Sequence, residues 1–220
     1  MGKYARILVG FGLALIIVDF AFASSAGWAK LIWATLAYGL LFLVYKVSHL
    51  KSDDVGLSRQ KIKNGLKYGL PLAAAVLLVY FLAYIIHKST LQDPRYHQSL
   101  SAAFYAGLVL LPLKTVLFEE LTFRGILPAL LLKVRHSQVF AMLISSVAYG
   151  AWHMVHFQNT LAGNVSAPRF VVLLVTFATT FLAGLVFYGL RQRSDSLIAP
   201  IAVHWAINAG AIIFAALSWR

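Results

Sequence analysis

A chain of 220 residues that is 60% hydrophobic and only 12% charged, with a mean hydropathy of +0.79, is too apolar for a soluble domain of its size and reads as an integral membrane protein. Its net charge of +12 comes from residues that flank apolar runs and form no stripe with interleaved aromatics, which excludes nucleic acid and matches anionic lipid headgroups. The absence of cysteine excludes disulfides, thiolate catalysis and cysteine zinc sites together.

A helix needs about 20 apolar residues to cross the hydrocarbon core, and seven stretches qualify. They run near Ile7 to Ala23, Leu31 to Tyr45, Leu70 to Ile86, Ala102 to Leu132, Gln138 to Phe157, Phe170 to Leu190 and Leu197 to Leu217. The fourth is too long for one straight span, and its Pro112 and Pro128 each remove a backbone donor, so it is expected to kink or tilt. None of the runs alternates as a β-barrel strand would, which leaves helices as the way to satisfy backbone groups in lipid. The expected fold is therefore an all-α integral membrane protein, a polytopic bundle of about seven transmembrane helices with a kinked fourth helix. No internal repeat, low-complexity tract or soluble domain interrupts it, so residues 1–220 read as a single membrane domain.

At the start, Lys3 and Arg6, an apolar run and the small-residue sequence Ala21-Phe22-Ala23 also fit a cleaved signal peptide. Asp19 interrupts that apolar run and favours a retained span. Basic residues then set the orientation. Lys3, Arg6, Lys46, Lys51, Arg59, Lys61, Lys63, Lys67, Lys133, Arg135, Arg191 and Arg193 fall on one side, against Lys30, Lys88, Arg95, Arg169 and Arg220 on the other. The richer side is expected to be cytoplasmic, which places the N-terminus inside the cell membrane and the C-terminus outside.

Intramembrane polar residues concentrate in three places: Glu119, Glu120 and Arg124 in the fourth span, His153 and His156 in the fifth, and His204 with Asn208 in the seventh. A carboxylate at the bilayer centre costs roughly 2.5 to 3.5 kcal/mol even on the mildest insertion scales, and adjacent carboxylates also repel. Counted from the basic side, Glu120 lies 13 residues before Lys133, His153 15 after Gln138 and His204 11 after Arg193. Those depths are about 20, 22 and 17 Å, so three helices deliver polar groups to one layer. One buried site facing a water-accessible cavity explains the coincidence.

Spacing assigns roles within that layer. Glu120 and Arg124 are four apart and can pair on one helix face, whereas Glu119 points about 100° away and is left to act as a general base. His204 and Asn208 are also four apart and can aim an imidazole and an amide at the developing negative charge on a carbonyl oxygen. His153 can then help Glu119 orient and deprotonate a water. The parts together describe a hydrolase.

Glu119-Glu120-x-x-x-Arg124, Tyr149-x-x-x-His153 and His204-x-x-x-Asn208 resemble, in order and in helix placement, the three motifs of the CPBP intramembrane proteases. That group is named for CAAX protease and bacteriocin processing and is also called the Abi family. The context agrees in Phe123-Arg124-Gly125, Tyr149-Gly150 and Ala199-Pro200, and the likeness covers a catalytic core of residues 101–217. Tyr149 stands where the family usually has Phe. The resemblance implies that Glu119 and His153 activate water, that His204 and Asn208 stabilise the oxyanion, and that Glu120 with Arg124 supports the site. It also implies a membrane protein or lipidated peptide as substrate. A glutamate-activated water needs no metal cofactor, although carboxylates and histidines also make a zinc set.

Other readings stand beside this one. Glu119, Glu120 and Arg124 could form a buried ion-pair cluster that fixes packing, and His204 and Asn208 could glue helices by hydrogen bonds. Intramembrane Glu, His and Arg also occur in proton-coupled transporters and channels, but repeat symmetry and paired broken spans are missing. A non-proteolytic immunity or scaffold protein is the third reading. His156 reads as interfacial, and Asp19, near the outer end of its span, as open to solvation. Lys114 is suited either to neutralising a glutamate or to lining the cavity.

Overall fold

A computed structural model describes residues 2–161 and 168–220, leaving aside the side chains of residues 23 and 156–161. Among the described residues 86% are helical and none lies in a strand. Among the described residues, seven helices are long and apolar enough to cross a membrane. They are α1 (Lys3–Ser24), α2 (Trp28–Val47), α3 (Arg59–His87), α4 (Leu100–Arg135), α5 (Gln138–Leu161), α6 (Arg169–Ser194) and α7 (Ile198–Ser218).

The long fourth span keeps a helical backbone from Leu100 to Arg135 but changes its winding along the way. Wider π turns occupy Ala106–Leu110, Pro112–Val116 and Leu121–Ile126. Both prolines lie at changes of winding, Pro112 opening one π segment and Pro128 entering the α-helical turn that follows another. Within the first π segment the amide of Leu111 bonds the carbonyl of Ala106, five residues back. In that register the next amide would serve the Gly107 carbonyl, but residue 112 is proline and has none. The indole N–H of Trp205 on α7 donates to Gly107 instead, at 3.0 Å.

The chain divides into two compact units. The first comprises residues 1–55 and 121–190, that is, α1, α2, the second part of α4, α5 and most of α6. Here α5 and α6 approach closely through small residues: a Cβ on Gly184 would lie 2.9 Å from the Cβ of Ser146. Tyr188 adds a hydrogen bond from its hydroxyl to Gln138 Oε1 at 2.8 Å.

The second unit comprises residues 56–120 and 191–220, with α3, the first part of α4 and α7. Its centre is the α3–α7 contact, where Gly65, Gly69 and Ala73 recur every fourth residue and are buried. A Cβ on Gly69 would lie 2.9 Å from the Cα of Ala199, so this close approach needs glycine. Farther along, Tyr80 stacks on Phe214 at 6.0 Å. The α3–α4 connection is anchored to the end of α7: Gln92 donates to the Ser218 carbonyl at 3.1 Å and His97 stacks on Trp219 at 4.6 Å. In the same loop, hydrogen bonds from Arg95 hold the Asp93 carboxyl below its ordinary range.

Candidate active site

In the second unit, α4 carries Glu119 and Glu120 on one short α-helical turn, Leu117–Glu120. Both side chains face inward, with 5% and 0% of their surface exposed. His204 of α7, 4% exposed, reaches both carboxylates. Its Nδ1 lies 2.8 Å from Glu120 Oε1 and its Nε2 lies 3.9 Å from Glu119 Oε2. A carboxylate oxygen accepts, so Nδ1 carries the proton of the short bond, and the opposite edge of the ring turns towards Glu119. Glu120 thereby fixes the position of His204 and holds a proton on its Nδ1.

The residue after His204 secures the same helix. Trp205 donates to Gly107 on α4, so adjacent residues of α7 hold two points of α4, one through the acid and one through the carbonyl that Pro112 leaves without a donor. Asn208 stands one turn farther along α7, partly exposed. Its amide makes no hydrogen bond to the described residues. Lys114, five residues before Glu119, is exposed.

The first unit holds the remaining sequence-predicted site residues, and Tyr149 organises them. Arg124 is 2% exposed, and its guanidinium lies 3.9 Å from the centre of the Tyr149 ring and 5.1 Å from that of Phe187. Contact with the negative faces of two rings compensates a buried cation. Phe123 meets the Tyr149 ring edge-on at 5.3 Å, and His153 does so at 4.4 Å. His153 Nδ1 is 2.9 Å from the Tyr149 carbonyl, which can only accept. The neutral ring therefore keeps its lone pair on Nε2, the tautomer that a base needs.

Asp19, whose role the sequence leaves open, is placed by the structure inside the first unit. It is 3% exposed and lines a cavity of about 520 Å3 within the first unit, together with Leu15, Phe123, Leu127, Ile144 and Trp152. The side chain of His156 lies outside the described residues. Among the described residues, no group of three His, Cys, Asp or Glu side chains is placed to hold a metal ion.

Three relationships go beyond sequence reasoning: the Glu120–His204 bond, the Phe187 face on Arg124 and the Trp205–Gly107 bond. Depth counting put Glu120 and His204 in one layer but offered no reason to pair them ahead of Arg124. Phe187 carries no distinguishing sequence signal.

A family model described as type II CAAX prenyl endopeptidase Rce1-like matches residues 100–210, just over half of the chain. The chain belongs to that family. The matched segment contains Glu119, Glu120, Arg124, His153, His204 and Asn208. Membership in the Rce1-like family, which is a protease family, agrees with the resemblance read from the three motifs and supports a peptide hydrolase. Together with the seven apolar helices, it makes the chain an integral membrane protein whose substrates are membrane-associated proteins. No curated protein matches the chain, and no solved structure does.

Proposed function

We propose that the protein is an intramembrane endopeptidase that hydrolyses a peptide bond of a membrane-associated or lipid-modified protein, using water activated by Glu119 and His153. The observation that carries this reading is the buried cluster of Glu119, Glu120 and His204 on the family-matched segment. A structural ion pair would need only one of the two carboxylates, and the second is costly to bury without a use.

In the proposed reaction Glu119 accepts a proton from a water that His153 helps to orient through Nε2. The water oxygen bonds to the scissile carbonyl carbon, and the negative charge moves to the carbonyl oxygen. The Nε2–H of His204 and the amide of Asn208 receive that charge. His204 can donate from Nε2 while Nδ1 donates to Glu120 only as an imidazolium, and the Glu120 carboxylate beside it balances that charge. The C–N bond then breaks, and the leaving amine takes the proton held by Glu119. Arg124, held over the rings of Tyr149 and Phe187, supports the acid pair from the following helical turn. Low dielectric around the site strengthens each of these interactions and admits water only where it is used.

The family description favours a C-terminal CAAX-type sequence with a prenyl group as the substrate class. Comparative proteomics of membrane-protein termini in cells carrying the native chain or Glu119→Gln tests activity and substrate together. New termini that depend on Glu119 are expected; identical termini in both strains would refute the proposal.

A further inference from the structure

The first turns of α3 carry a feature that the hydrolytic site does not use. The helix has 29 residues and so measures about 43 Å, whereas the hydrocarbon core is about 30 Å thick. Its unbroken apolar run begins only at Leu70, so the surplus lies at Arg59 to Lys67. Arg59, Lys63 and Lys67 are spaced four apart along this surplus, within an arc of about 80° of the helix circumference. All three are exposed, and among the described residues none has an ion-pair partner.

Their neighbours are engaged elsewhere. Lys61 points another way and bonds Asp195 at 3.0 Å. Gly65, about 160° around the helix from the middle of the basic stripe, packs on Ser196 and Ile198. This packing fixes the rotation of α3 within its unit and keeps the stripe facing outward. In the preceding loop, Asp54 accepts from the Lys51 amide, and Asp53 has an interaction of its own.

Ile62, Leu66 and Leu70 run beside the stripe and are exposed by 37%, 43% and 57%. Exposed aliphatic side chains interleaved with cations are at home where acyl chains meet headgroups, and less so against a soluble acidic partner. We propose that Arg59, Lys63 and Lys67 form a binding site for the phosphate of an anionic phospholipid, with Ile62 and Leu66 against its acyl chains. The proposal is independent of the hydrolytic reading.

The test is the full chain reconstituted in phosphatidylcholine vesicles with spin-labelled phosphatidylglycerol or spin-labelled phosphatidylcholine as probe. The readout is the preference of protein-bound lipid for the anionic probe. Each basic side chain near a membrane surface changes such a preference by about fivefold, so Arg59→Gln/Lys63→Gln/Lys67→Gln is expected to lower it by up to about 100-fold. The charge-conserving triple Arg59→Lys/Lys63→Arg/Lys67→Arg should retain it. An equal loss in Lys3→Gln/Arg6→Gln/Lys51→Gln would show a diffuse field and overturn the site. Equal binding of a polyglutamate peptide by the detergent-solubilised protein would overturn the lipid assignment. An unchanged thermal midpoint in the neutral triple separates lost binding from lost fold.

Discussion

His204 donates through Nδ1 to Glu120 Oε1 at 2.8 Å and so ties α7 to α4 across 84 positions of sequence. The bond is buried, and it makes Glu120 the residue that turns the other edge of the imidazole towards Glu119. Glu120→Gln keeps the shape and an accepting oxygen but removes the charge that balances an imidazolium. Its kcat should fall by up to about 100-fold with KM little changed. Glu120→Ala should also lower stability by about 1–3 kcal/mol, because a buried N–H loses its acceptor. Steady-state kinetics with thermal unfolding checks both, and native kcat in Glu120→Ala would show that the bond does no positioning.

Trp205 and Pro112 give a prediction with a built-in rescue. Trp205→Phe removes the donor to Gly107 and leaves a carbonyl that Pro112 cannot serve. A cost of about 1–3 kcal/mol is expected, with lower activity because His204 is the adjacent residue. Pro112→Ala introduced into that variant supplies an amide which, in the π register, reaches Gly107. Unfolding of the two variants should show stability recovering in the double substitution. No recovery would mean that the proline is not what orphans the carbonyl.

Tyr149 is expected to act through its ring face. Tyr149→Phe keeps the surface over which Arg124 lies and should preserve most activity, while Tyr149→Leu removes it. A desolvated cation–π contact is worth about 2 kcal/mol, which is the expected loss of stability in the leucine variant relative to phenylalanine. Equal unfolding midpoints for the two would assign the position to bulk alone.

These relationships divide into what periodicity carries and what only tertiary contact creates. Seven spans were legible because lipid demands long apolar runs, and the observed helices coincide with them to within a few residues except at the start of α3, which begins at Arg59 rather than Leu70. The candidate site residues were legible because charge in such runs is rare, and depth along a helix is simple arithmetic. The Glu120–His204 bond was not legible, since Arg124 stood four residues from Glu120 and offered a local partner. The π turns were equally hidden: Pro112 announces a break in hydrogen bonding, but the identity of the stranded carbonyl depends on the winding around it. The environment of Asp19 was left open by its position near the span end, and the packing of α1 against α5 and the second part of α4 buries it.

Metal dependence follows from the proposed route, in which every proton transfer is assigned to a named side chain. Incubation with a divalent-metal chelator should leave proteolysis within about twofold of the untreated rate, since no step needs a Lewis acid. Activity lost to chelator and restored by zinc would require a different water activator.

The central claim is that Glu119 is the base of a peptide hydrolase. Its most direct test is the cleavage rate of a prenylated CAAX peptide by purified protein in lipid vesicles, native against Glu119→Gln. A loss of about 100- to 10,000-fold with an unchanged thermal midpoint is expected, the range that follows removal of a general base. Cleavage by Glu119→Gln at the native rate would contradict it.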